Sequence, residues 1–225
     1  MFLTVSELLD PDTTAKVQST CDTLTWRDGR KTAGAQAKAV KQNLQADTTT
    51  AAGKTLLEEL HARLASNEIV RAAARPKRFS KLLLSRTEVG GGYGPHVDNA
   101  IMGSGAGRLR TDISFTLFLS KPETYDGGAL MIDLPGGVQS MKPAAGDLVL
   151  YPSSSIHWVE PVTAGVRLAA VGWIESLVPD PAQREILFDL ENARAALRQS
   201  AAQTSPALLT LDKVFSNLLR QWSNM

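Results

Sequence analysis

The chain has 225 residues, enough for one domain with a sizeable core and a smaller appendage, which excludes two domains of equal weight. Its 24 basic and 23 acidic side chains leave a formal net charge of +1, so no global field would draw it to nucleic acid or an anionic membrane. Cys21 is the only cysteine, which excludes an internal disulfide framework and a cysteine-only zinc cage, and fits the reducing cytoplasm.

Met1 to Leu9 lacks the basic start and long apolar stretch of a secretory signal, and no run reaches the roughly eighteen apolar residues of a membrane helix. From Asp10 the spacing predicts a helix, with Asp10 as N-cap, Pro11 in the first turn and Val17, Cys21 and Leu24 at helical intervals; Trp26 to Gly29 then ends it in a turn. Thr48 to Ala74 is rich in Ala, Leu, Glu and Arg. Leu56, Leu57, Leu60, Leu64 and Ile69 there predict one amphipathic helix or two, with Gly53 and Asn67 as weak points.

Beyond Pro76 the pattern changes to short strands between turn residues: Phe79 to Ser85, Thr111 to Leu119, Gly128 to Asp133, Asp147 to Tyr151, His157 to Val162 and Arg167 to Ile174. Such a set predicts a double-sheet jelly roll whose mouth can take a ligand. The glycine-rich segments Val89 to Gly94 and Gly103 to Gly107 have the freedom of lids, though clusters of this kind between strands are more often plain turns.

After Val178 helical spacing returns. Asp180-Pro181 caps a run with Ile186, Leu187, Leu190, Ala193 and Leu197, and Ser205-Pro206 opens another with Leu208, Leu211, Phe215, Leu218 and Trp222. The fold class is therefore mainly β with flanking helices: a main unit over 1–178, helical over 1–75 and jelly roll over 76–178, and a helical extension over 179–225. That extension buries its stripe internally or in a homodimer.

Three histidines occur, His61 in the helical part and His96 and His157 in the β-rich part. His96 and Asp98 are two residues apart, so on an extended backbone they share a face, and His157 can join them from another strand. Two imidazoles and a carboxylate on one face of an octahedron leave three positions open, as in non-haem iron(II) oxygenases. Arg167 follows, with a planar fork suited to the far carboxylate of a dicarboxylate cosubstrate. The same three ligands would also suit a non-catalytic cupin-like metal-binding or sensor module, or a zinc hydrolase, but both leave Arg167 unexplained. His61 is expected to be solvated, Trp158 and Trp173 to lie in the core, Arg108 to be a solvated loop charge, and Arg110, near the mouth, to offer positive charge to an acidic substrate.

Nearly end to end, the sequence resembles the PKHD-type hydroxylases, bacterial relatives of the prolyl 4-hydroxylase group of iron/2-oxoglutarate dioxygenases. The resemblance is carried by Trp26-Arg27-Asp28-Gly29-Arg30, Lys41-Gln42-Asn43, Tyr93-Gly94-Pro95-His96-Val97-Asp98, Arg110-Thr111-Asp112, Tyr125-Asp126-Gly127-Gly128 and the run from Gly146 to Ser155. It implies Fe(2+) on His96, Asp98 and His157, 2-oxoglutarate on Arg167, ascorbate as reductant, and hydroxylation of a prolyl or lysyl side chain or a small metabolite, in a setting of iron acquisition. Asp98 fills the position that a halogenating relative leaves to halide, so hydroxylation is the expected outcome. One departure stands out. Where the family often carries tyrosine after the arginine of the preceding strand, this chain has Arg86-Thr87, so Thr87, or else Tyr93, is left to contact the cosubstrate.

Overall fold

The structure, a computed structural model, describes residues 1–32, 35–200 and 205–225, with the backbone alone at 32, 35–37 and 200. After β1 (Leu3–Val5), α1 (Pro11–Thr23) starts as its chemistry directs: the Asp10 carboxylate accepts a 2.7 Å hydrogen bond from the Thr13 amide. The expected turn at Trp26 is instead an edge strand, β2 (Trp26–Asp28), because a partner is available. After α2 (Ala35–Val40) and β3 (Lys41–Gln42), β4 (Leu44–Ala46) returns beside β2. The long helical run divides into α3 (Ala51–Ser66) and α4 (Glu68–Ala74). Asn67 makes the break, closing α3 and capping α4 through a bond from the Val70 amide to its Oδ1. Gly53 stays inside α3, since a Cβ there would come within 2.7 Å of the Thr48 backbone.

The β-rich part comprises β5 (Pro76–Phe79), β6 (Leu83–Thr87), β7 (Gly92–His96), β8 (Ile101–Met102), β9 (Leu109–Arg110), β10 (Ile113–Phe118), β11 (Tyr125–Gly127), β12 (Leu130–Leu134), β13 (Gly137–Met141), β14 (Leu148–Pro152), β15 (His157–Val159), β16 (Val162–Gly165) and β17 (Arg167–Ser176). The expected single strand from Phe79 to Ser85 is split into β5 and β6, which both pair with β17. Ser80 sits at the bend, its amide donating to the Trp173 carbonyl and its hydroxyl accepting from the Trp173 amide. β13 is exposed along most of its length, so no apolar alternation announces it. The strands form a large sheet in the order β1-β14-β10-β17-β6-β4-β2, with β5 alongside β17, and a smaller one in the order β13-β12-β15-β7-β3. This is the jelly roll expected from the sequence, with helices flanking it.

The period of two along each strand divides the large sheet into two functions. On β10, Ile113, Phe115 and Leu117 pack outward with Leu84, Leu148, Leu150, Ala170 and Ile174 against Val17, Cys21, Leu56, Leu60 and Leu64 of the helices. On the other face Phe118, Val149 and Tyr151 meet Leu130 and Ile132 of the small sheet. That second core closes one end of the space between the sheets. Cys21 belongs to the outer core, and burial pushes its thiol up to about 11. Iodoacetamide at pH 8 is therefore expected to leave Cys21 unlabelled in the folded protein and to label it on denaturation. Rapid native labelling, read by intact mass, would contradict this packing.

α5 (Pro181–Ser200) is capped by Asp180, whose Oδ1 accepts from the amides of Ala182 and Gln183, and α6 (Pro206–Trp222) folds back on it. Leu187 and Phe215 are buried between them with Leu190, Leu218 and Trp222. The expected α5 stripe is only half used, because Ile186 and Leu197 face outward while Arg184 and Arg194 are buried. Arg194 lies over the Phe215 ring at 4.1 Å and pairs with Asp212, and Arg184 donates to the carbonyls of Val178 and Pro179. Among the described residues no helix is long and apolar enough to cross a membrane.

Candidate active site

A cavity of about 900 Å³ opens between the two sheets. β7 and β15 are neighbours in the small sheet, and their register sets His96 directly opposite His157. The imidazole centres are 4.3 Å apart. The chain leaves β7 after His96 and presents Asp98 to the same point, with Oδ2 3.6 Å from His157 Nε2. One ligand-type atom from each of the three residues lies within 4.8 Å of the others, the spacing of donors around a single cation.

The orientation of each side chain has a cause. His96 Nδ1 is 2.9 Å from the Gly94 carbonyl and His157 Nδ1 is 3.1 Å from that of Ser155, which turns both Nε2 atoms to the shared point. Ser114 of β10 donates to Asp98 Oδ2 at 2.6 Å. Its one hydroxyl proton is then used, so the 2.8 Å contact between Ser114 and Ser153 runs from Ser153 as donor. Burial, helped by the facing His157, pushes His96 down to about 4, so its ring is neutral at physiological pH and free to offer a lone pair.

Deeper between the sheets, Arg167 begins β17 and pairs in register with Thr87 of β6. Arg167 is only 2% exposed, and its Nε and Nη2 have no hydrogen-bond partner. A guanidinium withdrawn from water is costly unless an anion meets it, so these two unpaired donors suit Arg167 to holding an anion. The Phe118 ring lies 5.1 Å beneath it, and the buried Tyr125 hydroxyl beside it is likewise unpartnered. Burial raises Tyr125 while the Arg167 charge pulls the other way. Gly128 makes this cluster possible: a Cβ there would approach both Arg167 Cδ and Tyr125 Cε2 to 3.1 Å, at a φ of +64°.

The structure thus brings together His96, Asp98, His157, Arg167, Thr87 and Tyr93 on one cavity. Tyr93 stacks on His96 at 3.7 Å, whereas Thr87 is the residue paired beside Arg167. His61 is exposed outside the cavity, its ring edge-on to Phe79. Two expectations change, those for Trp173 and Arg110. Trp173, expected in the core, lines the cavity with a buried, unpartnered Nε1, because odd-numbered residues of β17 face inward. Arg110 is taken by Asp112 at 2.7 Å and does not line the cavity, whereas Arg108 is exposed, as expected of a solvated loop charge. Val89 to Gly94 is a tied turn leading into β7, bonded to Val162 through Gly90 and Gly91, while Gly103 and Gly107 do lie along the cavity.

Sequence reasoning missed Ser114, Tyr125, Tyr151 and Lys41. Tyr125, Tyr151 and Lys41 fell within the resembling motifs, and Ser114 carried no signal at all. Lys41 of β3 is opposite Tyr93 in register and 7% exposed; burial pushes its ammonium down to about 8, against the pull of Asp98 and Asp28.

Comparison with known proteins agrees with this geometry. Residues 82–175 match the 2OG-Fe(II) oxygenase superfamily, and residues 181–224 match the PKHD-type hydroxylase C-terminal domain. A PKHD-type hydroxylase of Hyphomonas neptunium is 46% identical over all of both chains, and one of Synechococcus elongatus is 48% identical over 99% of this chain and all of its own. Among solved structures, a Pseudomonas putida prolyl-4-hydroxylase superposes with a TM-score of 0.53 at 21% identity, covering 78% of this chain and 92% of that one. HygX of Streptomyces hygroscopicus, solved with nickel, 2-oxoglutarate and hygromycin B, gives 0.53 at 14% identity, covering 79% of this chain and 84% of that one. With two full-length relatives near half identity, and with the jelly roll and its histidine–aspartate cluster in place, the chain belongs to the PKHD-type hydroxylases, 2-oxoglutarate- and iron(II)-dependent dioxygenases.

Proposed function

We propose that His96, Asp98 and His157 hold the iron(II) and that Arg167, with Thr87 at its side, holds the far carboxylate of 2-oxoglutarate. The carrying observation is the buried Arg167 guanidinium with two unused donors, in the same cavity as the three-residue cluster. A sensor module or zinc hydrolase has no use for it. When bound, iron(II) and 2-oxoglutarate together supply oxygen activation, ending in hydroxylation of an unactivated carbon with succinate and carbon dioxide as co-products.

The chain's own contribution is position and dryness. Asp98 cancels one of the cation's two charges, and Ser114 and Ser153 fix which oxygen it offers. Tyr93 covers one face of His96 and keeps water from it, a shielding role rather than a cosubstrate contact. Tyr151, buried edge-on to His157 at 5.0 Å, does the same on the other side. Replacing Ser114 by Ala is expected to weaken metal affinity about 10- to 100-fold, the usual cost of losing a partner that orients a ligand. Anaerobic competition titration measures it, and unchanged affinity would mean that Asp98 is oriented by something else.

The substrate is a prolyl or lysyl side chain or a small metabolite, in a setting of iron acquisition, and ascorbate keeps the metal reduced. The buried Cys21 thiol fits the cytoplasm. Residues 1–178 form the catalytic unit and 179–225 an extension through which two copies pair. Leu209 is 70% exposed, with Val214 and Ile186 also outward. Sedimentation equilibrium is expected to give a dimer that Leu209→Asp converts to monomer; a monomeric wild type would refute the pairing. The enzymatic reading is tested by incubating the iron-loaded protein with 2-oxoglutarate, ascorbate and cell extract under labelled oxygen. Succinate and a single-oxygen mass gain are expected. No succinate above a metal-free control would overturn it.

A further inference from the structure

We propose that the substrate presents an anionic group, a carboxylate or a phosphate, and that Lys41 receives it beside the metal position. This deepens the hydroxylase reading and rests on it.

The inference starts from the charges that line the cavity. Its one carboxylate among the described residues, Asp98, is bonded to Ser114 and assigned to the metal. Of its cations, Arg167 is assigned to the cosubstrate, and Arg78 is neutralised by Glu175 at 2.5 Å. Lys31, Lys41 and Lys81 remain, and none of them has an ion pair among the described residues. Lys31 and Lys81 are exposed and read as a solvated rim. Lys41 is different, being nine-tenths buried.

The placement of Lys41 follows from the sheet. β3 is an edge strand of two residues whose register sets Lys41 opposite Tyr93, and the ammonium lies 5.3 Å from that ring. Tyr93 in turn stacks on His96 at 3.7 Å. The Tyr93 ring thus contacts both the ammonium and an imidazole of the proposed metal site. A cation–π contact with a single tyrosine offsets only part of the cost of taking an ammonium out of water. The acid facing Lys41 from β2, Asp28, is already engaged by Arg30 through Nε and Nη2. An unpaired cation in a low-dielectric cleft focuses a positive potential into it. A substrate anion is the partner that completes the site. The same charges disfavour a lysyl side chain as substrate and leave a small acidic metabolite or an acidic peptide.

The test uses the full chain loaded with Mn(2+), saturated with 2-oxoglutarate, and probed with inorganic phosphate and with carbon-labelled acetate. Phosphorus and carbon relaxation report how close each anion comes to the manganese, and the more strongly relaxed probe identifies the anion class. Saturable enhancement for at least one probe is expected in the wild type and in Lys41→Arg. In Lys41→Met it falls at least tenfold, while Mn(2+) and 2-oxoglutarate affinities stay at wild-type values. Equal enhancement in wild type and Lys41→Met, no enhancement in the wild type, or a loss of 2-oxoglutarate affinity in Lys41→Met would each overturn the proposal. Failure of the wild type to bind Mn(2+), seen separately in water-proton relaxation, would instead sink the hydroxylase reading and this inference with it.

Discussion

Asp98→Ala and His157→Ala are expected to lose iron during desalting and to lose turnover by roughly a thousandfold or more. Disturbing a residue that merely orients a ligand costs about 10- to 100-fold, so deleting a ligand costs more. Asp98 contributes most, because among the described residues it is the only anion lining the cavity and so the only charge there that offsets the cation. Its removal also strands the Ser114 hydroxyl, which now donates to it at 2.6 Å. His157→Ala removes the imidazole that the β7–β15 register sets against His96, leaving two donors where three converge. Metal content by mass spectrometry and succinate release are the measurements. Full iron occupancy in either variant would show that the cluster is not the metal site.

Arg167→Ala separates the second half of the site from the first. This variant is expected to keep its iron, since no ligand atom is touched, and to bind 2-oxoglutarate at least a hundredfold more weakly. Truncating one partner of a buried, hydrogen-bonded charge pair costs about 2–5 kcal/mol. Arg167 meets the conditions for the upper part of that range, being 2% exposed with Nε and Nη2 unsatisfied. Lysine is a poor replacement, because a point charge cannot give two parallel bonds to a carboxylate. Isothermal titration of the metal-loaded protein under nitrogen reads the affinity directly. Wild-type affinity in Arg167→Ala would remove the residue from the cosubstrate site.

The amino-acid sequence determined the parts of this molecule that depend on local periodicity and local chemistry. Asp10, Asn67 and Asp180 mark helix starts because their side chains accept from amides two or three residues on, and such contacts need no tertiary partner. The β-rich middle announced itself by alternation, and His96 and Asp98 by a spacing that shares a face. Where alternation was missing, so was the reading: β13 is polar and exposed, and β2 is a strand only because β4 lies beside it. The tertiary structure alone decided which strands are neighbours. Facing direction is encoded every second residue, whereas neighbour and register arise from contacts between residues far apart in the chain. Hence Ser114 at Asp98, Tyr125 at Arg167, Trp173 on the cavity wall and Lys41 over Tyr93 became visible only once the two sheets were closed on each other.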